Sequence, residues 1–396
     1  MALLLAPPVV DAHAFSFKTP TGTSVSDFVH FYQCGVMSLS EQREKIYDPA
    51  VQLEFTNRLI APDRIDNVFY IQYVPFTFPM MIPLALMPIQ QSYLLWYGLS
   101  LAAGIGAQYA LMRVVGKFGK MEKFILIAAV FASAPSIIAL SIGQTSWFLL
   151  AYLSILFIAL RNSKETLGGL ALAMVAIKPQ YMPLWLVSLF SLRRWRLLIV
   201  GGITTVLLLG LSAPVIGWQN ITNYPSILFH AETTKSYSGV NPEGMISLRG
   251  ALSQFIPQGT ALPMSVAIVL LATVLTYILW QKVRTASLPK EWAMALTTVL
   301  SLVVSPHSHV YDLLLMSIPA ILTIPKLSFV KAAALKSISH RIWCLTLMVY
   351  PFASWFFYCL KMSWLFLLFN LVLLISGLVY AFSDEMKNAL SEVAEK

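Results

Sequence analysis

A lone carboxylate, an isolated lysine and a histidine-rich loop carry most of the chemistry this chain can offer. Asp27 stands in Ser26-Asp27-Phe28-Val29-His30-Phe31-Tyr32, at the head of a run with helical apolar spacing. A carboxylate so placed can take a proton from a hydroxyl as its oxygen attacks. Ser26-Asp27 ahead of an apolar run would equally cap a helix. Lys178 lies between Ile177 and Pro179 in apolar surroundings, where an unpaired ammonium is costly. At the tip of a half-helix it could meet an anionic phosphate; the alternative is snorkelling to a nearby interface. Ser305-Pro306-His307-Ser308-His309-Val310-Tyr311-Asp312 is dense in polar groups between two apolar runs. His307 and His309 could bind a metal with Asp312, but an i, i+2 pair in a loop is a weak ligand signature. Hydrogen bonds from the histidines to an anion, with Asp312 orienting one of them, are the simpler reading, beside capping of the following helix. Arg249 offers a guanidinium that matches phosphate oxygens two at a time. Asp48, in Tyr47-Asp48-Pro49, and Gln144, in Gly143-Gln144, are supporting candidates; the latter alone reads as a turn.

The elements that must position these residues are membrane helices. Of the 396 residues 58% are hydrophobic and only 11% charged, against roughly 25% charged in soluble domains. Mean hydropathy is +0.72. So few charges cannot clothe a water-soluble surface, and the composition implies an all-α polytopic membrane protein. A net charge of +9 invites a nucleic-acid partner, but the basic residues sit in short clusters between apolar runs, where they set orientation. No nucleic-acid partner is expected. Cys34, Cys344 and Cys359 show no paired or metal-ligand spacing. No phosphate-cradling glycine loop, nucleotide fingerprint or serine elbow is present, which disfavours a cytosolic nucleotide-driven engine.

Apolar runs near 91–114, 123–142, 146–161, 197–216, 263–282, 291–304, 309–325, 342–360 and 363–382 are candidate spans, and 74–89 and 166–192 are apolar but broken by proline. Together they predict about ten to twelve transmembrane helices. Placing the clusters around Arg113, Arg161, Arg194, Arg284 and Lys331 in the cytoplasm puts residues 24–73, Gly143-Gln144, the loop 217–262 and Ser305–His309 on the outer side. Residues 166–192, flanked by cytoplasmic clusters, must enter and return, with a break at Lys178-Pro179. Two short helices at the outer interface are expected within 24–73, burying Phe28, Phe31, Val36 and Leu53 against lipid or the bundle. The loop 217–262 mixes aromatic and polar residues, which suits sugar recognition or an interfacial belt, and holds a formal glycosylation sequon at Asn220. Residues 1–10 are apolar over only half a span, so either the chain begins outside or an upstream spanning helix precedes it; 383–396 reads as a cytoplasmic tail. The whole is one integral membrane domain.

Taken in order, the motifs resemble those of glycosyltransferase family 87, integral-membrane enzymes of GT-C type fold. The matching stretches run from Ser26-Asp27-Phe28 with Phe31-Tyr32 and Gly35, through Tyr47-Asp48-Pro49, Phe78-Pro79, Pro83-Leu84-Ala85 and Gly143-Gln144. They continue with Gly168-Gly169, Lys178-Pro179-Gln180, Arg194-Trp195-Arg196, Ser247-Leu248 with Gly250, and Ser305-Pro306-His307 with Tyr311-Asp312. Two departures are a first spanning helix that is absent or truncated and Phe78-Pro79 where members often carry a proline pair.

The resemblance implies transfer of a hexose, mannose by family default, from a polyprenyl-phosphate donor to a lipid or glycolipid acceptor. The active site would face the periplasm or cell exterior of a plasma (inner) membrane. By position Asp27 matches the family's catalytic aspartate. Lys178, Arg249 and His307 would then bind the donor phosphate, with Asp48, Gln144, His309 and Asp312 in support and with neither cofactor nor metal. A single carboxylate suits direct displacement with inversion. The competing class is a secondary transporter or lipid-linked-sugar flippase, for which a broken helix around a cation is also suited; no internal repeat supports it. A non-catalytic scaffold would leave the polar clusters unrelated.

Overall fold

The computed structural model describes residues 16–19, 22–116, 118–233, 245–324, 335, 337–360, 363–384 and 386. The apolar start at 1–10 and nearly all of the expected tail lie outside the described residues, as do Lys235, Tyr237, Asn241 and Glu243 of the expected loop.

The chain opens with a two-stranded antiparallel hairpin, β1 (Ser16–Thr19) and β2 (Gly22–Val25). Helices follow almost without interruption: α1 (Asp27–Ser38), α2 (Pro49–Leu59), and the single turns α3 (Thr77–Met80) and α4 (Ile82–Ala85). Next come α5 (Ile89–Val115), α6 (Lys120–Phe131), α7 (Ala134–Ser141), α8 (Ser146–Arg161), α9 (Glu165–Val175), α10 (Met182–Ser191) and α11 (Trp195–Ile216). Then α12 (Trp218–Thr222), α13 (Tyr224–Thr233), α14 (Leu248–Leu252), α15 (Gln258–Arg284), α16 (Lys290–Val304), α17 (Ser317–Thr323), α18 (Ile338–Cys359) and α19 (Ser363–Ala381) complete the bundle.

Five of these helices, α5, α11, α15, α18 and α19, are long and apolar enough to cross a membrane. The pair α6 and α7, bent by 62°, makes a sixth if it is one broken span. The expected spans at 146–161, 291–304 and 309–325 are helices shorter than a full bilayer crossing, so the count by length stands below ten to twelve among the described residues. The outward residues of α11, Ile203, Val206, Leu207 and Leu211, are each more than half exposed. In water that stripe would drive aggregation; hydrocarbon is its natural solvent. α16 is the opposite case, buried at every residue from Trp292 to Val304, as an all-round apolar helix must be at the centre of a bundle.

The first segment is built tightly. Gln33 Nε2 donates to the Gln52 carbonyl (2.9 Å), Thr56 Oγ1 donates to Gln33 Oε1 (2.7 Å), and Gln52 bonds Ile46 and Ile71. Each buried amide thus finds its partners, as burial requires. α1 buries its apolar residues against the bundle, one of the two settings expected for it. Its Phe28 and Phe31 are buried as predicted, and the short helices α3 and α4 cover its other side. Gly35 permits this, because a Cβ there would lie 2.3 Å from the Met81 carbonyl oxygen. Asn220 is likewise committed: its Nδ2 donates to the Glu44 carbonyl (2.9 Å) and to Ile216 (2.5 Å), and the residue is buried. The sequon therefore serves as a tie between α12 and the 3₁₀ turn Arg43–Lys45.

Candidate functional site

Three helix breaks converge on one cavity. The first is the start of α1. Ser26 occupies the N-cap in extended conformation without a side-chain cap bond, and Asp27 is the first helical residue. The cap role open to Asp27 is therefore not taken up. The Phe28 amide, one of the helix's orphan donors, bonds the Ile142 carbonyl at 2.8 Å. That contact docks α1 on the second break, the turn between α7 and α8. Gly143 sits there at φ +74°, and a Cβ on it would approach the Phe28 Cβ to 2.6 Å. Both the left-handed backbone and the close approach call for glycine. Trp96 Nε1 fixes the turn from α5 by donating to the Gly143 carbonyl (2.8 Å), and Tyr93 bonds the carbonyls of Leu140 and Ser141. Gln144 then projects its Nε2 onto Asp27 Oδ2 at 2.9 Å.

The third break is the one expected at Lys178-Pro179. α9 stops at Val175, and a 3₁₀ turn, Pro179–Tyr181, precedes α10. Pro179 cannot donate to a continuing helix, and the break leaves Lys178 buried rather than snorkelling. Its ammonium pairs with Asp312 Oδ1, donates to Ser146 Oγ (2.9 Å) and lies 4.9 Å from the centre of the Tyr311 ring. Ser146 in turn donates to Asp312 Oδ1 at 2.6 Å. A buried charge pair is tolerable only when its remaining lone pairs are filled; the His309 amide, 3.3 Å from Oδ2, supplies one of those bonds. Lys178, Ser146 and Asp312 so tie together three remote pieces of chain.

The 305–312 loop closes the site. Gln180 Nε2 donates to the His307 carbonyl (3.0 Å) and Tyr181 OH to Ser308 Oγ (3.1 Å). The Ile246 amide bonds the Ser308 carbonyl at 2.9 Å. Arg249 is buried behind this loop, with Nη1 donating to the Pro306 carbonyl at 2.8 Å. It is not among the residues that line the cavity, and Nη1 of its fork is engaged by backbone. His307 and His309 meet edge to face at 4.9 Å; His307 lines the cavity and His309 does not.

The cavity measures about 720 Å³, within the range of sites for ligands of drug size. Gln144, Thr145, Lys178, Gln180 and His307 form its polar wall, joined by Gln72 and Tyr73. Tyr73 is stacked on Phe31 at 4.7 Å. Leu228, Phe229, Leu262, Pro263 and Val266, from α13 and α15, form an apolar wall, and Phe229 and Val266 are exposed on the outside of the bundle as well. Asp27 stands one hydrogen bond behind the polar wall, its side chain 14% accessible.

Burial raises the Asp27 carboxyl to about 6, against the opposing pull of the Gln144 hydrogen bond, Lys178 and His307. A group so placed is mostly ionised at neutral pH yet remains a competent proton acceptor. α1 lies outside the five candidate spans and the bent pair.

Of the sequence-predicted residues, Asp27, Gln144, Lys178, His307 and Asp312 come together here. Asp48 does not: it is exposed and accepts from the amides of Ala50 and Val51, capping α2 ahead of Pro49. Sequence reasoning passed over Ser146, Tyr73, Tyr311 and Gln180 as site residues. Pro49 after Asp48 is the familiar proline of a first helical turn, a signal of this cap that the sequence reading did not use; Ser146, by contrast, carries no local mark of its bridging position.

The site thus sets Asp27 behind a cavity with one polar and one apolar wall, with Lys178, paired to Asp312, on the polar side. Among curated proteins, no relative matches the chain. The family model described as glycosyltransferase family 87 matches residues 70–306, more than half of the chain. With its membrane helices and this cavity, the chain is a membrane glycosyltransferase, and it belongs to glycosyltransferase family 87.

Proposed function

We propose that the protein moves a hexose, mannose by family default, from a polyprenyl-phosphate carrier to a hydroxyl of a lipid or glycolipid acceptor. The observation that carries this reading is the Asp27–Gln144 pair set against a cavity with one polar and one apolar wall. The acceptor hydroxyl gives its proton to Asp27 while its oxygen attacks the anomeric carbon. The bond from that carbon to the phosphate oxygen breaks, and polyprenyl phosphate leaves with the electron pair. Lys178 and His307, both on the cavity wall, meet the charge that develops on the phosphate in a water-poor site. Phosphate is a good leaving group, so no strong general acid is needed. A single carboxylate with direct displacement inverts the anomeric centre, whereas retention by a covalent route would call for a nucleophile beside a second carboxylate. Asp312 is already engaged by Lys178, Ser146 and His309, which suits a supporting role: it aims the ammonium. Arg249 holds the histidine loop from behind in the same way.

The overall architecture is that of a GT-C type enzyme. The apolar wall from α13 and α15 would admit the carrier's tail from the bilayer, and the basic clusters support a site that faces the outer side of a plasma membrane. Protein in lipid nanodiscs, offered radiolabelled mannose either as polyprenyl-phosphate mannose or as a nucleotide sugar, tests the donor class. Label should reach a lipid acceptor from the first and not from the second; transfer from the nucleotide sugar alone would sink the proposal.

A further inference from the structure

One buried titratable side chain beside the site has no part in the mechanism above. His30 lies one turn after Asp27 on α1 and is fully buried. Neither ring nitrogen has a hydrogen-bond partner among the described residues. The ring is stacked on Phe69 at 4.4 Å and 17°, which fixes its plane, and Nδ1 faces Asp27 Oδ1 across 3.9 Å. That separation is too long for a hydrogen bond and short enough that an ångström of movement would make one. Oδ1 in turn lacks any hydrogen-bond partner among the described residues, since Gln144 serves Oδ2. A buried, unserved imidazole nitrogen therefore lies 3.9 Å from a carboxylate oxygen that is without a hydrogen bond among the described residues, beside the proposed reaction centre.

We propose that His30 is a positioning residue for Asp27: as a neutral imidazole it donates its Nδ1 proton to Oδ1 when the site is filled, holding the carboxylate ionised and oriented toward the acceptor hydroxyl. This rests on the reading of Asp27 as the base. The ring does not relay the proton itself, because burial pushes the imidazole down to about 3 and an imidazolium would be poorly tolerated. Catalytic hydrogen bonds are often long in empty sites and tighten in the complex. With Gln144 on one oxygen and His30 on the other, the carboxylate would be held from two sides. The other groups acting on Asp27 are Lys178, His307 and Asp312, with Tyr73 and Tyr311 also within electrostatic reach. None of these sits on α1, so a change at residue 30 leaves them in place.

The test titrates the Asp27 carboxyl directly, by its ¹³C resonance in nanodiscs containing polyprenyl phosphate, with assignment by loss of the signal in Asp27→Asn. His30→Phe keeps the stacking and removes the donor; His30→Asn puts an amide nitrogen near the place of Nδ1. A hydrogen bond to a charged group is worth about one pH unit. The Asp27 midpoint should thus rise by about one unit in His30→Phe and return toward wild type in His30→Asn. In a transfer assay His30→Phe should lose about threefold at pH 5.5 and under about twofold at pH 8. Equal midpoints in wild type and His30→Phe, or an Asn variant no better than Phe, would overturn the proposal. The two readings fail separately: undiminished transfer by Asp27→Asn removes the base, whereas equal midpoints beside an inactive Asp27→Asn remove only His30.

Discussion

Replacing Asp27 by asparagine should make the protein more stable at neutral pH while removing its activity. The unfolded chain ionises Asp27 near its ordinary value of 3.8, and the folded protein near 6. A raised folded value means that the folded state favours the protonated carboxyl. That favourable contribution is full below pH 3.8 and is lost as pH rises through about 6. Holding the ionised carboxylate in a buried place therefore costs the fold about 3 kcal/mol above pH 6, at roughly 1.4 kcal/mol per pH unit. Asparagine has the shape of the protonated acid and can still accept the Gln144 Nε2 bond. Thermal unfolding in nanodiscs at pH 7.5 should show Asp27→Asn melting a few degrees above wild type. The gap should close as the buffer is taken toward pH 4. A variant that melts at or below the wild-type temperature at pH 7.5, or a gap independent of pH, would refute the reasoning from desolvation.

Three further outcomes follow from the geometry. Lys178→Met leaves the buried Asp312 carboxylate without its partner and should destabilise by about 3–5 kcal/mol; adding Asp312→Asn should restore the melting temperature but not transfer. Gly143→Ala forces a side chain into a left-handed turn against Phe28 and should cost about 1–3 kcal/mol, with loss of transfer as Gln144 moves off Asp27. Gln144→Leu removes the hydrogen bond that holds the Asp27 carboxyl down, so the acid limb of the pH–rate profile should move to higher pH while the rate at pH 8 changes less.

The sequence made local features legible and distant ones obscure. Lys178-Pro179 announced a broken helix because proline cannot continue one, and the prolines of 74–89 announced short elements; both are observed. The composition was enough for the membrane class. The length rule for spans fared worse, because it reads 123–142 as one straight helix where the chain bends by 62° between Phe131 and Ala134. The cover that α3 and α4 give α1 at Gly35 was not legible either, because the pattern of one helix does not reveal which short elements will pack on it. The site itself depends on contacts across 117 residues, from Asp27 to Gln144, and across 134, from Lys178 to Asp312. No local spacing encodes those meetings. Arg249 shows the same limit: its chemistry suits phosphate, but only the packing shows it facing the Pro306 carbonyl. The family match begins at residue 70, so the placement of Asp27 beside Gln144 is an independent, structural observation.

The most direct measurement is transfer of label from polyprenyl-phosphate mannose to a panel of lipid acceptors by wild type and Asp27→Asn in nanodiscs, with melting temperatures recorded on the same samples. Product from wild type and at least a thousandfold less from an Asp27→Asn protein that melts no lower would bear out Asp27 as the base, as loss of general-base help of about 10²–10⁴ and of substrate alignment would require. Undiminished transfer by a folded Asp27→Asn would contradict it.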